Sequence, residues 1–163
     1  FASDNKEIDP STIIGLKNHY SDSLILDFAI AWLGLSAPTT PNSDDSLANP
    51  KNSYYFFDEL SSSANTDSAK NAINLLACHL KLGNVPEALE VIEKLKTLPS
   101  ADALSSWNYS LLINKIALSS ITSNTVEREE LLAQIEKDYP ASSYVSDLKE
   151  KNELFDSIVS TYN

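Results

Sequence analysis

Two amphipathic segments joined by a turn of about three residues constrain the fold of this chain more than any other feature. In the first segment, after Asp67, apolar residues share one helical face, namely Ala69, Ile73, Leu76 and Leu80. Gly83 ends this helix, because glycine adopts the left-handed conformation of a helix C-terminus without strain. The second segment follows Pro86 and stops before Pro99, and its predicted buried stripe is Ala88, Leu89, Ile92 and Leu95. The spacing predicts an antiparallel helical hairpin.

The hairpin pattern recurs along the chain with a unit of about 30 to 40 residues. We predict helix pairs at about residues 22–61, 67–98 and 101–139, preceded by a short helix and followed by a terminal helix at about 142–162. The proline-containing stretch 37–49 lacks apolar periodicity and predicts a flexible insertion. Only 3 of 163 residues are glycine, which disfavours a turn-rich β-fold. The predicted fold class is therefore all-α, a tetratricopeptide-like α-solenoid of antiparallel helix pairs.

Four further segments carry specific expectations. The helix after Asp22 is predicted to be largely buried, because most of its residues are apolar: Ile25, Leu26, Phe28, Ala29, Ile30, Trp32 and Leu33. The aromatic run 54–57 is compatible with a strand, but a helix is favoured by the helical spacing of Ser53, Phe56, Phe57 and Leu60. Asn124 or Thr125 is predicted to cap the second helix of the third pair. The apolar residues of the terminal helix are Val145, Leu148, Leu154, Phe155, Ile158 and Val159.

Charge and composition exclude several classes of partner. Lysine and arginine number 12 against 23 aspartate and glutamate, a net charge of −11 that disfavours nucleic acid and anionic lipid. The single cysteine, Cys78, cannot form an internal disulfide, which fits a reducing cytosolic setting. No apolar run approaches the roughly 20 residues that a membrane span requires, so no direct membrane insertion is expected. The start at Phe1 and the lack of methionine suggest a piece of a longer protein.

We find no catalytic, cofactor-binding or metal-binding constellation in the sequence. Cys78 and His79 are adjacent on a helix, so their side chains diverge by about 100° and form no nucleophile–base pair. We expect both to be core residues, and His19 is solitary near a helix end. Two histidines and one cysteine do not make a metal site. The acidic clusters at 127–130 and 150–156 are expected to be solvated helix faces, so no enzyme activity and no cofactor are predicted.

A surface formed by the first helix of each pair remains as the candidate site. Solenoids bind extended or helical peptides along such a face. In repeat register the predicted partner-binding residues, with two aromatic anchors at the start of a helix, are Leu26, Ile30, Leu33, Lys70, Ile73, Ala77, Lys81, Trp107, Tyr109, Ile113, Ala117 and Ile121. Several are apolar, which indicates either a covered groove or packing between repeats. Lys70 and Lys81 are positioned for a clamp on peptide carboxylates, but the asparagines expected beside them are missing.

The hairpin at 70–99 resembles a tetratricopeptide repeat. That repeat places a small residue in the inter-helix turn, an alanine where its helices cross, and apolar residues four and seven positions later. The matching residues are Gly83, Ala88, Ile92 and Leu95. Five segments, in order, resemble one family more closely, the epsilon subunit of coatomer: DFAIAWLGL, NSYYFFDEL, ACHLKLGNVPEALEVIEKL, NKIALSS and EKNELFDSIVSTY. They cover residues 22–163, and the chain resembles fungal members in particular. The resemblance implies that the chain is the C-terminal half of such a protein.

The resemblance implies a function that composition and periodicity do not predict. Coatomer epsilon is a non-enzymatic subunit of a vesicle coat that binds and stabilises the C-terminal domain of the coatomer alpha subunit. It acts in Golgi-to-ER retrograde and intra-Golgi transport, and contacts other coatomer subunits indirectly. The implied location is the cytoplasm, with peripheral attachment to Golgi membranes and coated vesicles through the coat. The alternative from another class is a generic tetratricopeptide adaptor that holds a tail of another protein in its groove.

Overall fold

A computed structural model describes residues 10–36, 48–62, 68–97 and 107–162. The described residues contain helices and no strand. The helices, in order, are α1 (Pro10–His19), α2 (Leu24–Ser36), α3 (Pro50–Ser62), α4 (Ser68–Leu82), α5 (Val85–Lys96), α6 (Asn108–Ile121), α7 (Thr125–Asp138) and α8 (Ser143–Tyr162). The chain divides into two compact units, Phe1–Leu104 and Ser105–Asn163. The predicted insertion at 37–49 and the start of the third pair lie mostly outside the described residues.

The helices pack in neighbouring pairs, and the predicted all-α, solenoid-type fold class is confirmed. In the first unit α1 packs on α2, α2 on α3, α3 on α4 and α4 on α5. In the second unit α6 packs on α7. The aromatic run 54–57 is helical, as the spacing of Ser53, Phe56, Phe57 and Leu60 predicted. Ser53 and Phe57 are buried. Each of these helices packs on the helix next to it in the sequence. The order of the helix pairs can therefore be predicted from the sequence.

A close crossing fixes α2 against α3. The hydroxyl of Ser53 donates hydrogen bonds to the backbone carbonyls of Ala31 at 2.7 Å and of Asn49 at 2.9 Å. Gly34 lies beside this contact, where an added Cβ would be 2.6 Å from the Asn49 oxygen. Ala31 and Phe57 join Cys78 of α4 in a buried cluster. A glycine and a serine thus allow the backbones to approach, and the core extends from α2 through α3 to α4.

The turn between α4 and α5 forms a Schellman motif. Gly83 has φ +77°, its backbone N–H donates to Leu80, and the Asn84 N–H donates to the His79 carbonyl at 2.9 Å. These bonds satisfy carbonyls at the helix end that have no partner within the helix. The predicted role of Gly83 is therefore confirmed.

The buried face of α5 differs from the prediction at one position. Ala88, Ile92 and Leu95 are buried, but Leu89 is 48% exposed and Val91 is buried instead. Leu89 and Val91 lie on opposite edges of the predicted stripe. The side from which α4 covers α5 decides between them, and that side is not encoded in the period of the helix.

The second unit has its own core between α6 and α7, joined by the first turn of α8. Its buried members are Leu112, Ile116, Leu131, Ile135 and Val145. Asn124 caps α7, because its side-chain oxygen accepts a hydrogen bond from the Glu127 N–H at 3.3 Å. Of the two predicted caps, the structure therefore selects Asn124.

The expectation of a largely buried α2 is wrong. Within α2 only Ile30, Ala31 and Gly34 are buried, while Ile25 is 81% exposed and Trp32 is 47% exposed. An apolar helix is covered only on the sides where other helices pack, and α2 contacts its neighbours with one stripe. The composition of α2 therefore predicts its type but not its burial.

The apolar residues of α8 are also mostly uncovered. Val145 is buried, whereas Leu154, Phe155, Ile158 and Val159 are exposed, as is the neighbouring Tyr162. Helix α8 contains 20 residues, and only its first turns contact the core of the second unit. The remainder presents an apolar stripe to solvent.

Candidate protein-binding surface

A narrow stripe of side chains runs along α4 in the first unit. Lys70, Asn74, Ala77 and Lys81 are spaced i, i+4, i+7 and i+11, so they share one face of the helix. All four are partly exposed. Helix α4 contains no aspartate or glutamate, although the chain has a net charge of −11. We call these four residues the α4 stripe.

The α4 stripe corrects one expectation from the sequence. The asparagines expected beside the two lysines of a carboxylate clamp were judged to be missing, but Asn74 lies one helical turn from Lys70 on the same face. Its amide nitrogen Nδ2 is buried and has no hydrogen-bond partner within the described residues. A buried donor without an acceptor raises the free energy of the folded chain by about 1–3 kcal/mol. Asn74 follows Lys70 by four residues, and this spacing alone would have placed the two side chains on the same helix face.

Aromatic rings of α2 hold Lys70 at one end of the stripe. The Lys70 ammonium lies 5.6 Å from the ring centroid of Phe28 and 5.8 Å from that of Trp32. The two rings are themselves 5.9 Å apart, and Phe28 stacks edge-on against Phe56 of α3 at 5.1 Å. Cation–π attraction therefore restricts the position of the Lys70 side chain.

The predicted binding residues of the first unit differ in accessibility. Ile30 and Ile73 are buried in the chain itself, so they pack the helices and offer little surface to a partner. The remaining predicted residues of this unit are partly exposed: Leu26, Leu33, Lys70, Ala77 and Lys81. Sequence reasoning did not include Asn74, Phe28 or Trp32 among them. The predicted face is thus reduced to a partly open surface on α2 and α4.

In the second unit, the predicted residues lie on or just before α6. Trp107 occupies the N-cap position of α6, and Tyr109 packs against Tyr139 with ring centroids 5.1 Å apart. Ile113 and Ala117 are partly exposed, and Ile121 is 51% exposed at the end of the helix. Tyr109 is tied into the local core, whereas Ile121 is the most open of the set.

An open groove of about 540 Å³ lies at the end of α7 in the second unit. Its lining residues are Tyr109, Asp138, Tyr139, Pro140, Ala141, Ser142 and Ser143. The Asn108 amide donates to the Tyr139 hydroxyl at 3.5 Å, and the Ser142 hydroxyl accepts from the Val145 N–H at 3.4 Å. The first contact joins the start of α6 to the residue after α7, and the second lies at the start of α8.

The surface residues alone do not show which family the chain belongs to, and a comparison with known families does. The family model of the coatomer epsilon subunit matches residues 12–163. The chain belongs to the coatomer epsilon subunit family. The match extends over both compact units and over the five segments that carry the resemblance. A comparison with curated proteins finds no match.

Membership in the coatomer epsilon family gives the chain the role of a coatomer subunit. The family consists of structural subunits of a vesicle coat, and a subunit of this kind associates with other coatomer subunits. None of the described helices is long and apolar enough to cross a membrane. Exposed apolar residues are found on α2 and on α8.

Cys78 and His79, the two residues of this epsilon-family chain that most resemble catalytic groups, are buried. Cys78 has no exposed surface, and burial raises the pKa of its thiol to about 12. His79 lies 5.3 Å from the Tyr54 ring, measured between centroids, and its Nδ1 has no hydrogen-bond partner within the described residues. Burial lowers the pKa of His79, although nearby carboxylates of Glu87, Asp58 and Glu90 act in the opposite direction. Both side chains pack the core, as predicted.

Across the parts of the chain that the structure describes, no group of three histidine, cysteine, aspartate or glutamate side chains is placed to hold a metal ion. The glutamates of α7 and α8 that the sequence singled out are exposed to solvent. They form solvated helix faces, as predicted.

Proposed function

We propose that this coatomer epsilon-family chain is a non-enzymatic structural subunit that binds and stabilises the C-terminal domain of the coatomer alpha subunit. The observation that carries the proposal is the family match over residues 12–163. Exposed apolar side chains support it, because a monomer that exposes Ile25, Trp32 and Phe155 has surface to bury in an assembly. The transport steps proposed with it are Golgi-to-ER retrograde and intra-Golgi transport.

The proposed binding surface is the face of the first helices of the pairs at about 22–61, 67–98 and 101–139. The proposed location is cytoplasmic, with attachment to Golgi membranes and coated vesicles through the coat. A net charge of −11 is compatible with attachment through other subunits, because it disfavours direct contact with anionic lipid.

A pull-down with the purified alpha C-terminal domain tests this function. We expect a stable complex at micromolar concentration. Absence of a complex, with both proteins folded, would overturn the proposal. Capture of unrelated protein tails with equal affinity would instead favour the generic adaptor.

A matched pair of variants tests the proposed face. Ile121 lies on it, and Val126 of α7 does not, yet both are exposed apolar residues. Ile121→Asp should weaken the complex, because it places a charge in the interface, whereas Val126→Asp should not. Equal effects of the two substitutions would place the interface elsewhere.

A further inference from the structure

The groove at the end of α7 has the chemistry of a binding site for an arginine side chain. It combines two tyrosine rings, Tyr109 and Tyr139, with the carboxylate of Asp138. We infer that an extended segment of another protein places an arginine in this groove, with its guanidinium against the tyrosine rings and paired with Asp138. This inference goes beyond the proposed function, with which it shares only Tyr109, and it does not depend on the alpha subunit as the partner.

Asp138 decides the sign of the charge in the groove. Among the described residues that line the groove it is the only charged one, and it is exposed to solvent. Within the described part of the chain its carboxylate has no ion pair, and its Oδ2 accepts one long hydrogen bond, at 3.5 Å, from the Gln134 amide. Lys137 lies about 100° away around α7 and does not line the groove. The Asp138 carboxylate is therefore accessible to a cation of another molecule.

The end of α7 adds backbone acceptors to this carboxylate. The Tyr139 N–H donates to the Ile135 carbonyl, and the Ser142 N–H donates to the Tyr139 carbonyl. Pro140 has no N–H, and within the described turn no backbone N–H donates to the carbonyls of residues 136–138. Carbonyls without an N–H partner carry partial negative charge at a helix C-terminus and favour a cation there.

The first turn of α8 also borders the groove, and the partial positive charge of a helix start opposes a bound cation. This helix start is capped, because the Ser142 hydroxyl accepts a hydrogen bond from the Val145 N–H at 3.4 Å and the Ser142 carbonyl accepts one from the Ser146 N–H at 3.1 Å. A helix end carries about half an elementary charge, whereas the Asp138 carboxylate carries a full one. The groove therefore retains a net attraction for a cation.

The tyrosine rings favour arginine over lysine as the cation. Tyr109 and Tyr139 lie with their ring centroids 5.1 Å apart and their planes inclined by 61°. The Asn108 amide donates to the Tyr139 hydroxyl at 3.5 Å, and Tyr109 packs against the core of the second unit, so both rings are positioned before a ligand arrives. A guanidinium is planar, stacks on aromatic rings and has five N–H donors for carboxylate and carbonyl oxygens, whereas an ammonium is compact and strongly hydrated. The volume of about 540 Å³ also accommodates the residues on either side of the arginine.

An NMR titration of the isotope-labelled full chain tests the inference. The probe is a capped peptide of alanine and serine with one central arginine, and the reference peptide has citrulline there, which has a similar shape and no charge. We expect the arginine peptide to shift the backbone N–H signals of Ala141, Ser142 and Ser143 in a saturable way, and to lose affinity as the salt concentration rises. The citrulline peptide and a lysine peptide should both bind less tightly.

Two outcomes of this titration would overturn the inference. The first is the lack of a saturable shift at these three residues. The second is an affinity for the citrulline or the lysine peptide that equals or exceeds that for the arginine peptide.

Variants of single carboxylates locate the site. Asp138→Asn keeps the shape of the side chain and removes its charge, so the affinity for the arginine peptide should fall roughly three- to fivefold, as expected for an exposed ion pair. The affinity for the citrulline peptide should not change. Asp147→Asn, at an exposed position of α8 outside the groove lining, is the matched control and should leave both affinities unchanged. Equal losses in the two variants, or no loss in Asp138→Asn, would contradict the proposed site.

Variants of Tyr109 separate the contribution of the ring from that of the hydroxyl. Tyr109→Phe keeps the ring and should keep the affinity for the arginine peptide, whereas Tyr109→Leu should lower it roughly two- to threefold. Because Tyr109 also packs against the core, the leucine variant is measured below its thermal unfolding transition. An unchanged affinity in the folded leucine variant would exclude the ring from the site and overturn the inference.

The alpha-domain pull-down separates this inference from the proposed function. A chain that binds the alpha domain but not the arginine peptide overturns only the arginine site. A chain that binds the peptide but not the alpha domain overturns only the proposed partner.

Discussion

Ser123 adopts, in the turn between α6 and α7, the left-handed backbone conformation that Gly83 adopts between α4 and α5. The φ angles are 56° and 77°. The hydrogen bonds also correspond, since the Asn124 N–H donates to Ser119 at 2.8 Å just as the Asn84 N–H donates to His79 at 2.9 Å. Two hairpins 40 residues apart in the sequence therefore share one turn, but only one of them has the residue that favours it.

We expect Ser123→Gly to stabilise the chain. A non-glycine residue in the left-handed conformation is disfavoured by about 1–2 kcal/mol, and glycine removes that penalty. Part of the gain is offset because glycine has more freedom in the unfolded chain, so an increase of about 1 kcal/mol is expected in urea unfolding. Ser120→Gly is the control, because Ser120 is helical, and it should destabilise the chain. Loss of stability in Ser123→Gly would contradict the shared turn.

The N-cap of α7 should contribute more to stability than that of α5. The Asn124 side chain accepts a hydrogen bond from the Glu127 N–H, whereas the equivalent Asn84 makes no side-chain cap bond. Asn124→Ala is therefore expected to lower the free energy of unfolding by about 1 kcal/mol. Asn84→Ala should lower it less. Equal losses in urea unfolding of the two variants would show that the cap bond is not the source.

Gly34→Ala should destabilise the first unit. The added Cβ would be 2.6 Å from the Asn49 carbonyl oxygen and would also clash with the Ser53 hydroxyl, so α2 and α3 would have to separate. Overpacking of this kind typically costs about 1–3 kcal/mol. Gly15→Ala is the matched control, because no atom lies within 4 Å of its added Cβ and alanine favours a helix. Thermal unfolding of the two variants should shift in opposite directions.

The stability of the chain should fall on mild acidification because of His79. Burial lowers its pKa in the folded state, so the folded chain favours the neutral imidazole. Below the unfolded value of about 6.5 the unfolded chain binds more protons, and stability decreases from there toward the lowered pKa. His79→Leu should show a smaller loss of stability between about pH 7.5 and pH 5.5. His19→Leu, at an exposed site, controls for removal of a histidine; an unchanged pH dependence in His79→Leu would contradict this role.

Part of the site was accessible from the sequence and part was not. The helical period placed Lys70 and Lys81 on one face, and the same period places Asn74 between them, although that residue was overlooked. The rings of Phe28 and Trp32 beside Lys70 were not predictable, because residues 37–49 and the whole of α3 separate α2 from α4 in the sequence. Family resemblance, rather than any site motif, predicted the coat-subunit role that the family match supports.

The sequence by itself determined the type and order of the helices and the position of the Gly83 turn. These features depend on residues within one or two helical turns of each other, so a short segment of the sequence is enough to predict them. The tertiary structure alone decided which apolar faces are covered: Val91 rather than Leu89, one stripe of α2, and the first turns of α8. The burial of a residue depends on which helices from elsewhere in the chain pack against it. An apolar helix face can be covered from more than one side, so its hydrophobicity does not decide which residues become buried.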